Sequence, residues 1–294
     1  MRDLGTLNPY SVGTLMKEAV RRAIVAIRAQ RFTFETRTKE SLTSDPRGDF
    51  VTTADQSAQR VFVTLLGNWF PEFGIVAEEE GLRLPCTHPR HDLWFTVDPL
   101  DGTRAFMRRQ SHGIGTMIAL VCDGEVIGAC VGDVMTSEVY AARPDDPDVH
   151  RISEFGIAER LVIDPDRRLA DQWILVGEHG QPRSELLISM VGGPSPLFSG
   201  IETTTGSIGI GIARLWKSEV GAAVFGPFVR GTPWDIYPII GISARMGFRF
   251  FLLGADIEPW HPHISREGTP VPHEVMVVHE SRVAELFAWI QSTR

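Results

Sequence analysis

The chain has 294 residues, 43% hydrophobic and 22% charged, with a formal net charge of −8. That length suits one large or two medium domains, and an acidic balance without a basic run excludes a nucleic-acid groove as the reading of the composition. No stretch approaches the ~20 apolar residues of a membrane span, and the N-terminus has no apolar core of signal-peptide length, so a soluble, cytoplasmic protein with no nucleic-acid or membrane partner is expected.

The cysteines are Cys86, Cys122 and Cys130, an odd count without a C-x-x-C pair. A disulfide framework or a Cys-based zinc site is not expected, and a reducing compartment is favoured. Residues 11–30 predict a helix, with Met16, Val20, Ala23 and Ile27 on one face. Residues 31–50, broken by Pro46 and Gly48, read as a loop. A second helix starts near Asp55, turns Ala58, Phe62, Leu65 and Trp69 to the core, and stops at Pro71.

Strands follow at 93–97 and 115–122, an Asp-Gly turn at 123–124, a return strand at 125–134 and another at 138–142. This meander predicts an antiparallel sheet with helices on one side. After the turn-rich "RPDDPD" (143–148) the order becomes alternating. Strands are predicted at 173–176, 222–225, 248–253 and 273–279. Helices are predicted at 184–191, at 207–220, from Asp235 onward and at 281–290. The seam between 143 and 170 divides an N-terminal α+β domain, 1–165, from a C-terminal α/β domain, 166–294.

Acidic residues gather at element ends: Asp49 and Asp55 in "DFVTTAD", Glu78 to Glu80 in "IVAEEEG", Asp98 and Asp101 in "DPLDGT", and Asp235 in "GTPWDIYP". Singly, Asp55 and Asp235 read as helix N-caps, the glutamates as a solvated turn, and Asp-Gly as a common turn. Together, and in this order, they predict a site for hard cations, which take oxygen ligands and clamp a phosphoryl group in displacement. Asp98 at a strand end can bridge two ions. The Leu100 carbonyl is a neutral ligand in a turn stiffened by Pro99. Gly102 lets a phosphate approach the backbone, and a helix starting at Thr103 adds free N–H groups.

With "VTTAD" (51–55), "AEEEG" (77–81), "DPLDGT" (98–103), "TGS" (205–207) and "WD" (234–235), the chain resembles the inositol monophosphatase family of Mg²⁺-dependent, lithium-sensitive phosphatases. The resemblance implies a layered α-β-α-β-α sandwich of the sugar-phosphatase type, a mixed α+β and α/β fold, and a homodimer. It implies two or three Mg²⁺ ions, replaceable by Mn²⁺, and a small phosphorylated metabolite as substrate. Glu78, Asp98 and the Leu100 carbonyl would hold the first metal. Asp98, Asp101 and Asp235 would hold the second, with Glu78 and waters serving a third. Asp55 and Thr103 would orient and deprotonate the attacking water, and the amides of Gly102 and Thr103 would bind phosphate. The C-terminal half would supply Asp235 and the substrate pocket.

The pattern departs from the family at the substrate end. Arg104-Ala105-Phe106 after the DGT is closer to histidinol-phosphatase-like members, and no acid lies between Phe225 and Pro233 to grip a polyol. Arg230 is the candidate in that stretch for a negative or planar group, and His179 occupies a place that faces substrate in the family. Phe228 and Trp216 are candidate aromatic walls, which would suit the alternative of a 3′(2′),5′-bisphosphate nucleotidase. A further alternative, of another class, is a partner-binding regulator with incidental catalysis. His261, His263 and His273 read as surface-loop histidines rather than metal ligands.

Overall fold

Asn8 opens the first helix by accepting a hydrogen bond from the Ser11 N–H at 2.8 Å, and Pro9 takes the first helical position, where no N–H is needed. The structure is a computed structural model and describes residues 2–39, 49–178 and 183–293; the side chains of Lys39, Asp49, Val229 and Arg230 lie outside that description.

The first half of the chain contains α1 (Pro9–Ala29), β1 (Thr36–Lys39), β2 (Asp49–Thr52), α2 (Thr53–Trp69), β3 (Gly74–Ala77), β4 (Arg83–Leu84), β5 (Leu93–Asp101) and α3 (Thr103–Met107). It continues through β6 (Gly115–Cys122), β7 (Glu125–Asp133), β8 (Val139–Ala142), β9 (Val149–Ile152) and β10 (Ala158–Arg160). The second half contains β11 (Trp173–Gly177), α4 (Glu185–Gly192), β12 (Gly200–Thr204), α5 (Ile208–Trp216), β13 (Ala222–Phe225) and β14 (Phe228–Gly231). It ends with α6 (Pro233–Arg245), β15 (Phe248–Leu253), β16 (Ile257–Pro259), β17 (Thr269–Val271), β18 (Glu274–His279) and α7 (Val283–Thr293).

The eight-stranded sheet runs β10-β9-β8-β7-β6-β5-β3-β4, and the six-stranded sheet runs β12-β11-β13-β18-β15-β16. The first is antiparallel as expected, apart from the parallel β3–β5 pair. The second mixes parallel β11–β12 and β11–β13 pairs with antiparallel partners for β18.

Alternate side chains on each strand feed different cores. Phe95, Val97, Ile118 and Leu120 pack against Val12, Met16 and Phe62 of α1 and α2. Trp94, Met117, Ala119 and Val121, on the opposite face, pack with Ile212 and Trp216 of α5 and with Ile236, Ile239 and Ile242 of α6. The same core includes Leu175, Ala223, Val275 and Val277 from one face of the second sheet. The other face of that sheet packs Val176, Met276 and Val278 against Leu187 of α4 and Leu286 of α7. The layers are therefore α1/α2, sheet, α5/α6, sheet and α4/α7, the α-β-α-β-α sandwich. The central strands of both sheets are buried on both faces, which is why β5 and β6 read as near-continuous apolar runs.

Three local details differ from the sequence reading, and a proline inside α6 adds a fourth feature. Residues 36–39 and 49–52 are paired strands, not loop, with Thr36 opposite Thr52. α2 is capped by Thr52, and Asp55 is its third residue, so Asp55 is not the N-cap. α5 stops at Trp216 rather than near 220, with Ser218 at φ +59°. Pro238 lies inside α6, beyond its first turn, and leaves the Trp234 carbonyl without an i+4 N–H donor.

Candidate active site

Two neighbouring parallel strands deliver the first acids. Ala77 pairs with Val97, and the Glu78 N–H donates to the Val97 carbonyl at 3.1 Å, so Glu78 and Asp98 leave β3 and β5 at the same level. Gln59 of α2 fixes the glutamate turn from both sides: its Oε1 accepts from the Glu79 N–H at 2.8 Å, and its Nε2 donates to the Glu79 carbonyl at 2.9 Å. Glu79 is buried and Glu80 exposed.

The β5–β6 register shifts between Asp98 and Asp101, where Pro99 has no N–H to give the ladder. Asp98 Oδ1 accepts from the Leu100 N–H at 3.0 Å. The Thr103 hydroxyl lies 3.1 Å from the Leu100 carbonyl and 3.1 Å from Asp55 Oδ1. Asp55 is held in a capping box: its Oδ2 accepts from the Thr52 N–H at 2.8 Å and the Thr52 hydroxyl at 2.5 Å. That leaves Oδ1 for Thr103. Asp55 is thus both a helix-start residue and a partner of the DGT turn.

Asp101 faces the second half of the chain. Its carboxylate accepts from the Ser207 hydroxyl, from the Gly209 N–H at 2.9 Å and from the Ile208 N–H at 3.3 Å. Around it, Gly102 at φ +88°, Gly113 at φ +69° and Gly206 at φ +87° meet backbone to backbone. A Cβ on Gly102 or Gly206 would stand 2.4 or 2.3 Å from the Gly113 carbonyl. This contact explains the glycine of "TGS", and Gly113 is a partner that no sequence motif marked. Asp235 is the third residue of α6 and accepts from the Thr232 hydroxyl.

Burial pushes Asp55 and Asp101 up to about 6 and Asp235 up to about 7, and Glu78's negative charge adds to each shift. Asp98 is raised well above the usual carboxylate range, first by burial and then by Glu78, Asp101, Asp235 and Asp55. These acids, far apart in sequence, therefore share one electrostatic environment. Among the described residues, no arginine or lysine forms an ion pair with Asp98, Asp101 or Asp235. The donor set is carboxylate and carbonyl oxygen only, which suits a hard divalent cation.

A cavity of about 370 Å³ opens beside the DGT turn. Gly102, Thr103, Arg104, Arg108, Glu178 and Phe228 contribute to its wall. Phe225 stacks on Phe228 with ring centroids 6.2 Å apart, and both line it. Trp216 does not: it is fully buried and donates from its ring nitrogen to Ser243 at 2.8 Å. Tyr237 is buried too, its hydroxyl donating to the Ser265 carbonyl at 2.8 Å. His179 and the Arg230 side chain lie outside the described residues. Glu178, one residue before His179, reaches the cavity and was not singled out by spacing or type.

A family model described as "Inositol monophosphatase family" matches residues 11–148, the stretch that carries Asp55, Glu78, Asp98, Asp101 and Thr103. The chain is similar to a protein named Nus factor SuhB from Vibrio cholerae serotype O1, 33% identical over 126 residues, 40% of this chain and 46% of that one. The aligned segments span a third to a half of the length of such curated relatives. In fold it is similar to Staphylococcal inositol monophosphatase-1 in a LiCl-soaked inhibitory complex, with TM-score 0.72, 18% identity, and 96% and 95% of the two chains covered. It is also similar to an IMPase/NADP phosphatase complexed with Mg²⁺ and phosphate, with TM-score 0.69, 19% identity and 95% of each chain covered. The sequence of the first half thus matches the inositol monophosphatase family model over residues 11–148, and the whole chain shares the fold of solved inositol monophosphatases.

Proposed function

We propose that the chain is a Mg²⁺-dependent phosphomonoesterase acting on a small phosphorylated metabolite. The observation that carries this reading is the Asp55–Thr103 pair, 3.1 Å apart, which shares one electrostatic environment with the oxygen-donor acids and whose threonine forms part of the cavity wall. Glu78, Asp98, Asp101, Asp235 and the Leu100 carbonyl would hold the cations. When bound, divalent cations would neutralise the acids and offset charge on the transferring phosphoryl group. The IMPase/NADP phosphatase complexed with Mg²⁺ and phosphate shares this fold, which supports the choice of ion.

Thr103 orients the attacking water and accepts its proton while passing its own to Asp55 Oδ1. Asp55 suits that task because Thr52 holds the other oxygen and leaves Oδ1 to the Thr103 hydroxyl. The amides of Gly102 and Thr103 would bind phosphate where no side chain blocks approach, with Asp235 beside them. Arg104, Arg108, Glu178 and the Phe225–Phe228 pair would read the alcohol half of the ester, with Arg230 and His179 as further candidates.

The test is phosphate release from inositol phosphates, histidinol phosphate, fructose 1,6-bisphosphate and adenosine 3′,5′-bisphosphate, with and without Mg²⁺. Release from one of them, Mg²⁺-dependent, inhibited by lithium and lost in Asp98→Asn, is the expected result. No release from any, with Mg²⁺ bound, would favour the partner-binding alternative that relatives named Nus factor suggest.

A further inference from the structure

A second cluster of metal-ligating groups sits at the opposite end of β5 from Asp98. Among the described residues, His91, Cys122 and Asp123 are the group whose ligand atoms all lie within 4.8 Å of one another. His91 precedes β5, while Cys122 and Asp123 form the β6–β7 turn, and the pairing of Leu93 with Cys122 brings the two segments together. At ~3.3 Å per residue, Leu93 to Asp98 is about 16 Å, so this cluster is separate from the acids of the candidate active site.

We propose that His91, Cys122 and Asp123 form a binding site for one borderline-soft transition-metal ion, of which Zn²⁺ is the type, independent of the proposed phosphatase reaction. The donors are a ring nitrogen, a thiolate sulfur and a carboxylate oxygen, a mixed set that suits Zn²⁺ and disfavours Mg²⁺. Cys122 Sγ lies 3.6 Å from Asp123 Oδ2, and that is about the sulfur–oxygen edge of a tetrahedral zinc site. His91 Nδ1 lies 2.7 Å from the same oxygen as a hydrogen bond and would open to about 3.4 Å around a metal. Asp123 is already aimed: its Oδ1 accepts from the Asp92 N–H at 2.8 Å, leaving Oδ2 to the other two groups.

Access is from solvent. The His91 side chain is 28% exposed and that of Asp123 54%, while Cys122 forms the buried floor. Neighbouring arginines are engaged elsewhere, Arg2 with Glu125, Arg90 with Asp3 and Arg266 with Asp92. On binding, the Cys122 S–H bond breaks, its proton goes to solvent, and the sulfur–metal bond forms with neutral His91 and ionised Asp123; solvent would fill the fourth position. A lone thiol in such a set escapes a search for C-x-x-C pairs.

The experiment is Co²⁺ titration of the metal-stripped full chain, read as thiolate-to-cobalt charge-transfer absorption, which the oxygen-only acids cannot produce. One equivalent should give the band. Cys122→Ser, checked for folding by circular dichroism, should abolish it. Asp123→Asn keeps a favoured Asn-Gly turn and the thiol, and should weaken Co²⁺ binding at least about tenfold. No band in the unmodified chain, a band that survives in folded Cys122→Ser, or an unchanged midpoint in Asp123→Asn would each overturn the proposal.

Discussion

The Asp101 carboxylate accepts the Ser207 hydroxyl and the Gly209 N–H, so an acid of the DGT turn closes the start of a helix more than a hundred residues later. Ser207 also accepts from the Ile210 N–H at 3.0 Å as the N-cap of α5. One serine thus joins the helix to the candidate metal acids. Ser207→Ala should lower stability by about 1–3 kcal/mol, from the lost cap and the lost bond to a charged group. Urea unfolding measures it, and Mg²⁺ affinity should fall with it, because Asp101 loses its orienting donor.

Gly206→Ala should cost about 2–4 kcal/mol. Its φ of +87° disfavours any side chain, and the new Cβ would stand 2.3 Å from a backbone oxygen. Gly67→Ala, at an exposed position of α2 with nothing within 4 Å, should instead stabilise by about 0.5–1 kcal/mol. Opposite signs in the same denaturation assay are the expected outcome; equal effects would show that the glycine contact is not tight.

Thr103→Ala should reduce turnover by about 10²–10⁴-fold with little loss of stability, because in the proposed reaction the hydroxyl would link water to Asp55. Thr103→Ser should recover most of it. A serine variant as inactive as the alanine would mean that the methyl group, not the proton path, matters.

The acids also set a pH dependence for the metal-free protein. Their folded pKa values, about 6 for Asp55 and Asp101, about 7 for Asp235 and raised for Asp98, exceed the ordinary 3.8 of the unfolded chain. Groups raised in this way contribute stability that is complete below pH ~4 and is lost as pH rises through 6 and 7. With EDTA, the melting temperature should therefore fall from pH 5 to pH 8. Mg²⁺ should raise it by roughly 5 °C at pH 8 and hardly at all at pH 5, read by differential scanning calorimetry. A Mg²⁺ effect independent of pH would sink the argument.

Short-range chemistry was legible in the residues themselves. The apolar period of α1, the alternating or continuous apolar runs of β5 to β8, the Asp-Gly turn at 123–124 and the oxygen-donor turn "DPLDGT" each need only neighbours within a few positions. Strands β1 and β2 were not legible, because the four polar residues of β1 and the short mixed run of β2 become strands only through each other's hydrogen bonds. Nor does local pattern say that Asp55 caps nothing alone, that Gln59 holds the glutamate turn, or that Gly113 presses on Gly102 and Gly206. The candidate site shows the same division. Residue types named the donors, but only packing of α2, β3, β5 and α6 into adjoining layers put Asp55, Glu78, Asp98, Asp101 and Asp235 within each other's fields. Periodicity and caps are fixed by bonds between near neighbours; burial and charge coupling depend on which distant segments share a core, and that is decided by the fold.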